Sequence, residues 1–184
     1  KIKSIIDREF SEASNILVLS FTNATIDGFN KSFKEYKNVR CHTLHQYALI
    51  INHLTQHQIL IDPEIKHLYK FAERLSIDFY ALCQHLECMT FDMMIESSID
   101  FIKSNPAYAE EKIGKIDLVV VDEFQDFNEL ERNLVFLIFK YADQTIVLGD
   151  DDQSIYDFKN ADPEALIELY YNDSSEKIEH EHIC

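Results

Sequence analysis

The sequence is poor in the residues that build linkers and in the long apolar runs that cross membranes. Its 184 residues include only three glycines and three prolines, which leaves little room for long flexible linkers. No run approaches the roughly 18 apolar residues of a membrane-spanning helix, and no signal peptide opens the chain. We therefore expect no membrane association and a cytoplasmic location.

Basic residues and paired cysteines are also scarce. The 17 Lys and Arg residues against 33 Asp and Glu residues give a formal net charge of −16. This charge disfavours a free-standing nucleic-acid binder that relies on electrostatics, because phosphate contacts need Lys and Arg. The four cysteines show no CxxC pairing, so free thiols are expected rather than a zinc or disulfide framework. Any nucleic-acid role must use local contacts, or basic surface outside this segment.

The residues that are present support a sizeable core. Hydrophobic residues make up 46% of the chain, enough for one domain or for one domain with an inserted lobe. Short apolar runs predict the strands of a parallel sheet covered on both faces, with helical periodicity between them. An α/β fold is therefore predicted. The strand runs are Ile16–Phe21, Ile116–Val121 and Thr145–Leu148, with a weaker candidate at Val39–His42.

The middle of the chain reads differently, because apolar residues recur there at helical spacing. Two such stripes run from Leu68 to Leu86 and from Phe91 to Ile102, and Pro106 is expected to end the helical pattern. We predict an all-helical lobe at residues 46–114, inserted into an α/β core formed by residues 1–45 and 115–184. A last helix is predicted to open at Asp162-Pro163-Glu164.

Polar and acidic residues follow three of the predicted strands. The exits read Ser20-Phe21-Thr22-Asn23, then Asp122-Glu123-Phe124-Gln125-Asp126, then Gly149-Asp150-Asp151-Asp152-Gln153-Ser154-Ile155-Tyr156. Ligands of open α/β sheets collect at the carboxyl ends of the strands. A carboxylate there can hold Mg²⁺ against nucleotide phosphates, the next can polarise an attacking water, and a neutral Gln can report on the terminal phosphate. The sequence thus predicts a phosphate and metal site.

Four stretches resemble motifs of the UvrD/Rep-like superfamily 1 DNA helicases. VVVDEFQDFN (119–128) and VLGDDDQSIYDF (147–158) are closely similar to motifs II and III. LSFTNATIDGF (19–29) resembles motif Ia, and HTLHQYA (42–48) resembles motif Ib. The resemblance implies a RecA-like sheet of the P-loop NTPase type in an ATP-dependent DNA helicase. In that family the core is subdomain 1A and the helical insertion is subdomain 1B.

The resemblance also implies roles for individual residues. Asp122 would hold Mg²⁺, Glu123 would activate water, and Gln153 would contact the γ-phosphate of ATP, with Gln125 also on the ATP side. The implied partners are single-stranded or partly duplex DNA and the remaining helicase domains. The alternative for Phe21 and Phe158 is a place in the core. The implied DNA-binding residues are Phe21, Thr22, Asn23, His45, Tyr156 and Phe158.

One expected motif is absent from the sequence. A P-loop (Walker A) needs GxxxxGK[ST], and the only Gly-Lys pair, Gly114-Lys115, leads into a strand rather than out of one, so Gly114 is expected to be a turn. The Arg of motif IV is missing as well. The chain therefore resembles a piece from the middle of a motor, and we expect it to be inactive alone.

Two alternatives stay open. One is a non-catalytic, helicase-like scaffold for DNA or protein that has lost its P-loop. The other is a Mg²⁺-dependent phosphoryl-transfer domain of the Toprim kind, suggested by Asp150–Asp152. That design wants a Glu at the first strand's exit, where this chain has Thr22-Asn23.

Overall fold

The computed structural model describes residues 2–52 and 57–149, and strands and helices alternate along most of that length. A short 3₁₀ helix, Phe124–Asp126, follows the fifth strand. In chain order the other elements are α1 (Ile2–Glu9), β1 (Ile16–Ser20), α2 (Asn23–Ser32), β2 (Val39–Thr43), α3 (Leu44–Asn52), β3 (Gln58–Ile59), α4 (Asp62–Leu75), α5 (Phe79–His85), β4 (Cys88–Met89), α6 (Phe91–Ser104), α7 (Pro106–Ile113), β5 (Ile116–Asp122), α8 (Glu129–Phe139) and β6 (Ala142–Val147).

The central element is a four-stranded parallel sheet with strand order β2-β1-β5-β6. Its two middle strands are rich in Ile, Leu and Val, and every residue of β1 is buried. Strands of this composition are typical of a parallel sheet whose two faces are both covered by helices. The predicted α/β fold with a parallel sheet is confirmed, and all four predicted strands are present.

Side chains alternate between the two faces of the sheet and so build two cores. Leu17 and Leu19 point into a large core that also contains apolar residues of α3, α6, α7 and α8. Ile16 and Val18 point into a second core with residues of α1 and α2. This arrangement places both middle strands between two helical layers, with their carboxyl ends at one edge.

At three places, a helix begins or ends at a residue that the spacing of apolar residues in the sequence does not indicate. Tyr36 and Tyr141 continue the apolar spacing of their helices, but α2 ends at Ser32 and α8 at Phe139. The helical pattern that starts at Phe91 does end before Pro106, since α6 stops at Ser104, but Pro106 then begins a further helix, α7, that was not predicted. Proline suits that first position, since its missing N–H has no partner there in any helix.

The inserted region has an inner and an outer part. Helices α3, α6 and α7 share the large core with the sheet, whereas Leu60, Cys83 and Cys88 form a small separate core with α4 and α5. The outer part also contains the parallel pair β3–β4, which helical periodicity did not predict. The proposed boundaries at residues 46 and 114 stay a prediction.

The apolar stripe of the outer part is split into two helices and is largely exposed. Ser76 adopts a left-handed conformation (φ 54°) between α4 and α5, so the stripe from Leu68 to Leu86 is not one helix. Phe71 and Leu75 are 50% and 53% exposed.

Among the described residues, the three cysteines Cys41, Cys83 and Cys88 are free thiols, as predicted.

Gly114 confirms the interpretation of the Gly-Lys pair as a turn. It ends α7 with φ 70°, a conformation that glycine adopts without steric penalty. The next residue, Lys115, is exposed, and its Nζ lies 2.6 Å from Oδ2 of Asp143. The pair therefore caps a helix rather than forming a phosphate-binding loop.

Across residues 2–52 and 57–149, none of the helices has the length and apolar character needed to cross a membrane. The helix predicted to open at Asp162 lies outside the described residues.

Candidate functional site

The first candidate site lies where β5 ends. Asp122 is the last residue of β5, and its register partner on β1 is Ser20. Both residues follow the alternation toward the face covered by α1 and α2. Burial and the neighbouring Glu123 carboxylate raise the pKa of Asp122 to about 6, from 3.8. The strand thus holds a partly buried carboxyl group whose charge is disfavoured until a cation compensates it.

Glu123 leaves the strand through an unusual backbone conformation. It has φ 55° and ψ 44°, the left-handed region that residues with a Cβ seldom adopt. Gln125 is 1% exposed, and its Nε2 donates a hydrogen bond of 2.7 Å to Oε2 of Glu123. The turn and the buried amide therefore fix a carboxylate that an ordinary strand ending would leave free to rotate.

The exit of β6 lies directly beside this turn. Leu148 donates its backbone N–H to the carbonyl of Val121 at 2.7 Å and accepts from the N–H of Phe124 at 3.0 Å. These bonds join the chain after β6 to both sides of the acidic turn. The predicted site residues Gln153, Tyr156 and Phe158 lie outside the described residues, so the proposed grouping of Gln153 with Asp122 and Glu123 stays a prediction.

A second candidate site is a cleft of about 1350 Å³ between the sheet's carboxyl edge and the inserted region. Phe21, Asn23 and His45, three of the residues predicted to contact DNA, line it together. Its other walls come from the starts of α4, α6 and α8. The lining residues are Phe21, Asn23, Thr43, His45, Leu60, Ile61, Asp62, Pro63, Ile65, Thr90, Phe91, Asp92, Asn128, Glu129, Leu130, Glu131, Arg132 and Asn133.

Phe21, which lines the cleft, and the next residue, Thr22, both make structural contacts. The Phe21 ring meets the buried Phe127 ring edge to face at 5.7 Å, while part of Phe21 stays accessible. Phe21 is thus partly buried against the core and partly accessible. Thr22 is the N-cap of α2, where its Oγ1 accepts from the N–H of Thr25 at 3.2 Å. Thr22 is absent from the described residues that line the cleft.

Asn23 and His45 are held by side chains from the neighbouring segments. The Nε2 of Gln46 donates to Oδ1 of Asn23 at 3.0 Å, and its Oε1 accepts from the N–H of Thr43 at 3.1 Å. The His45 Nε2 lies 3.3 Å from Oε1 of Glu131, a residue of α8. The stretches resembling motifs Ia and Ib are therefore bonded to each other, and the motif Ib stretch also contacts α8.

Comparison with known families explains this combination of an acidic strand exit and an adjoining cleft. Residues 29–173, well over half of the chain, match the family model of the UvrD/REP helicase N-terminal domain. The chain belongs to this family. The match covers both the β5 exit and most of the cleft, and it favours the helicase-like interpretation over the Toprim-like one.

Individual relatives are matched over a shorter stretch. The ATP-dependent DNA helicases PcrA of Staphylococcus aureus and of Staphylococcus epidermidis are each 33% identical to the chain over 81 residues. That stretch is 44% of this chain and 11% of the length of each relative. The chain therefore corresponds to a small part of those helicases.

The sequence did not single out two residues that matter for the cleft of this UvrD/REP domain. Phe91 opens α6, is 45% exposed, and meets the His45 ring edge to face at 4.8 Å. Glu131 is 5% exposed and closes a capping box with Asn128 at the start of α8. The pattern Asn128-x-x-Glu131 was a readable helix-start signal. Nothing in the sequence placed Phe91 opposite motif Ib.

The charge of the cleft is predominantly acidic. Four carboxylates line it, from Asp62, Asp92, Glu129 and Glu131, against one guanidinium, that of Arg132. The Arg132 Nη1 donates to the carbonyl of Phe127 at 2.9 Å and is buried. A ligand in this cleft would therefore contact mainly aromatic and polar side chains rather than exposed cationic ones.

The β5 exit has the donors that Mg²⁺ uses in nucleotide sites. Within the described residues, no group of three or more His, Cys, Asp or Glu side chains converges, so a cage made only of protein ligands is absent there. Mg²⁺ needs no such cage, because it keeps several waters and binds one or two carboxylates together with substrate phosphates. The buried Ser20 Oγ has no hydrogen-bond partner among the described residues, which adds an unused oxygen beside Asp122. Asp122 and Ser20 thus fit a hydrated Mg²⁺.

Proposed function

We propose that this chain is part of the motor of an ATP-dependent DNA helicase or translocase. The observation that carries the proposal is the β5 exit, where Asp122 and the Gln125-held Glu123 stand beside the exit of β6. The family match and the adjoining cleft support it. In this proposal residues 46–114 are the 1B insertion of a 1A motor subdomain.

Each residue of the β5 exit has its own proposed role in ATP hydrolysis. Asp122 would hold Mg²⁺, which neutralises phosphate charge when bound. Glu123 would accept a proton from the attacking water, and the orientation of its carboxylate by the left-handed turn and by Gln125 supports this role. Gln153 is proposed to contact the γ-phosphate.

The cleft is proposed to hold single-stranded DNA. Phe21 lines the cleft with a partly accessible ring, and Phe91, at the start of α6 in the inserted region, is 45% exposed. Stacking of bases on aromatic rings is tolerant of sequence and contributes about 1–3 kcal/mol per base, so it can hold a strand where cations are few. Asn23 and His45 supply polar contacts, and Tyr156 and Phe158 are proposed to extend the surface.

Residues 1–184 alone are expected not to hydrolyse ATP at a measurable rate. Phosphoryl transfer depends mainly on positioning and on neutralising phosphate charge. The sequence contains no GxxxxGK[ST] loop, and the net charge of −16 adds repulsion toward a triphosphate. The remaining helicase domains are therefore proposed as partners that complete the site.

The test measures ATP hydrolysis with and without single-stranded DNA, for residues 1–184 and for the full-length protein. We expect strand-stimulated hydrolysis only in the full-length protein, and its loss in Glu123→Gln. Glu111→Gln, which removes an exposed carboxylate on α7, is the matched control and should keep the wild-type rate. Hydrolysis by residues 1–184 that disappears in Glu123→Gln would overturn the expected inactivity.

The same assay separates the motor from the scaffold alternative. A scaffold would bind single-stranded DNA without hydrolysing ATP, even at full length. The hydrogen-bonded Glu123 favours the motor, because a scaffold has no use for a carboxylate held in a left-handed turn.

A further inference from the structure

The contact between His45 and Glu131 crosses the floor of the cleft. His45 follows β2 at the start of α3, Glu131 lies in the first turn of α8, and the Phe91 ring of α6 rests against the imidazole. The His45 side chain is 21% exposed and the Glu131 side chain 7% exposed. Three elements thus meet at one imidazole that reaches into the cleft.

The Glu131 carboxylate has a different task for each of its oxygens. Oε2 accepts the backbone N–H of Asn128 at 2.9 Å, while the N–H of Glu131 donates to Oδ1 of Asn128 at 2.9 Å. Oε1 faces His45 Nε2 at 3.3 Å. One oxygen therefore caps α8, and the other contacts the imidazole.

We propose that Glu131 regulates strand binding by occupying the His45 N–H that a DNA phosphate would otherwise use. A proton on Nε2 can be donated to one acceptor at a time, so the carboxylate and a phosphate oxygen compete for it. The carboxylate also repels a phosphate approaching that end of the cleft. This inference rests on the proposed function, and it adds to that function a residue, Glu131, that lowers the affinity for single-stranded DNA.

Glu131→Gln separates the two tasks of the carboxylate. The amide oxygen of Gln can still accept the Asn128 N–H, because Gln serves in capping boxes as Glu does. The amide NH₂ would then face His45 and cannot accept its proton. The substitution should therefore free the imidazole without unfolding the start of α8, and an unchanged melting temperature checks this.

The experiment measures the affinity of the full-length protein for a fluorescein-labelled oligodeoxythymidine. We expect Glu131→Gln to bind the probe about fivefold more tightly, as removal of a partly buried charge contact of about 1 kcal/mol implies. Glu129→Gln is the matched control, because it removes an exposed carboxylate of the same cleft and the same helix turn. Its gain should stay below about twofold.

A second substitution tests whether the gain passes through the imidazole. In a His45→Asn background, adding Glu131→Gln should no longer raise the affinity for the oligonucleotide, because the imidazole N–H for which carboxylate and phosphate compete is gone. Equal gains for Glu131→Gln and Glu129→Gln, or a gain that persists with His45→Asn, would overturn the inference and leave the proposed function intact. A wild-type protein that binds no oligonucleotide would overturn the proposed strand binding, and this inference with it.

Discussion

The β5 exit and the cleft are built in opposite ways. At the β5 exit, Asp122, Glu123 and Gln125 lie within four consecutive residues and are held by a strand paired on both sides. In the cleft, the key contacts of Phe21, His45, Phe91 and Glu131 come from separate elements spread over more than half the described chain. The proposed catalytic residues are thus close together in the sequence, whereas the residues proposed to bind the DNA strand are brought together by packing.

One short segment belongs to both regions and joins them. Phe127 follows the acidic turn, packs against Phe21, and accepts a hydrogen bond from Arg132 on the cleft wall. Phe124, at the other end of the same turn, is bonded to Leu148 beside β6. A displacement of the cleft wall would therefore move residues that lie close to Glu123 in the sequence.

The largest effect that separates the two regions is expected from Gln125→Leu. Removing the amide leaves the Glu123 carboxylate without its buried donor, and a small loss of orientation at a reacting group can lower the rate about 10- to 100-fold. We expect such a fall in ATP turnover of the full-length protein, with affinity for single-stranded DNA changed less than about twofold. Gln84→Leu, at an exposed position of α5, is the control. An unchanged turnover would show that the turn alone positions Glu123.

Phe91→Ala and Phe21→Ala test whether the cleft binds bases through its rings. Each change should weaken binding of single-stranded DNA by about 1–3 kcal/mol, roughly 5- to 150-fold. Phe21→Ala should also lower the free energy of unfolding, by about 1–2 kcal/mol, because its ring packs on Phe127, whereas Phe91 is 45% exposed. Fluorescence anisotropy and chemical denaturation measure the two effects.

Tyr80→Ala is the control for these rings, because Tyr80 is 50% exposed on α5 and lies outside the residues described as lining the cleft. If Tyr80→Ala weakened binding as much as Phe91→Ala, strand contact would extend over the outer insertion, and the boundary of the cleft would have to be redrawn.

The smallest expected effect is the pH dependence at Asp122. Its folded pKa of about 6 lies above the ordinary 3.8, so the folded state holds this proton more tightly and loses stability as pH rises from about 4 to 6. Asp122→Asn removes that penalty. Without Mg²⁺ the variant should be more stable than wild type by about 1 kcal/mol at roughly pH 7.5, allowing for solvent screening of a partly exposed group.

The difference between Asp122→Asn and wild type should shrink toward zero below about pH 3, where the carboxyl is largely protonated in both states. Thermal denaturation at the two pH values, with a chelator present, measures it. Asp27→Asn, at an exposed position of α2, is the matched control. A variant less stable than wild type at the higher pH would mean that the Asp122 charge is already compensated in the folded protein.

Local pattern predicted the sheet and the β5 exit well. The segments Ile16–Leu19 of β1 and Leu118–Val121 of β5 are apolar without interruption, as is typical of a strand covered on both faces. The carboxylates of β5 follow at Asp122, where burial ends. Tertiary contacts decided what periodicity could not. The stripe from Leu68 to Leu86 looks like one buried helix face, yet it is broken at Ser76 and half exposed, because the small core around Cys83 covers little of it.

The sequence by itself determined the fold class, the order of the strands along the chain and the acidic residues at the end of β5, because each depends on neighbours in the sequence. Only the tertiary structure decided the left-handed turn that gives Glu123 to Gln125, the ring contact of Phe91 with His45, and the pairing of His45 with Glu131. The physical reason is distance along the chain. Residues 45, 91 and 131 become neighbours only when α3, α6 and α8 pack on the same face of the sheet, and that packing is driven by buried side chains rather than by the residues that line the cleft.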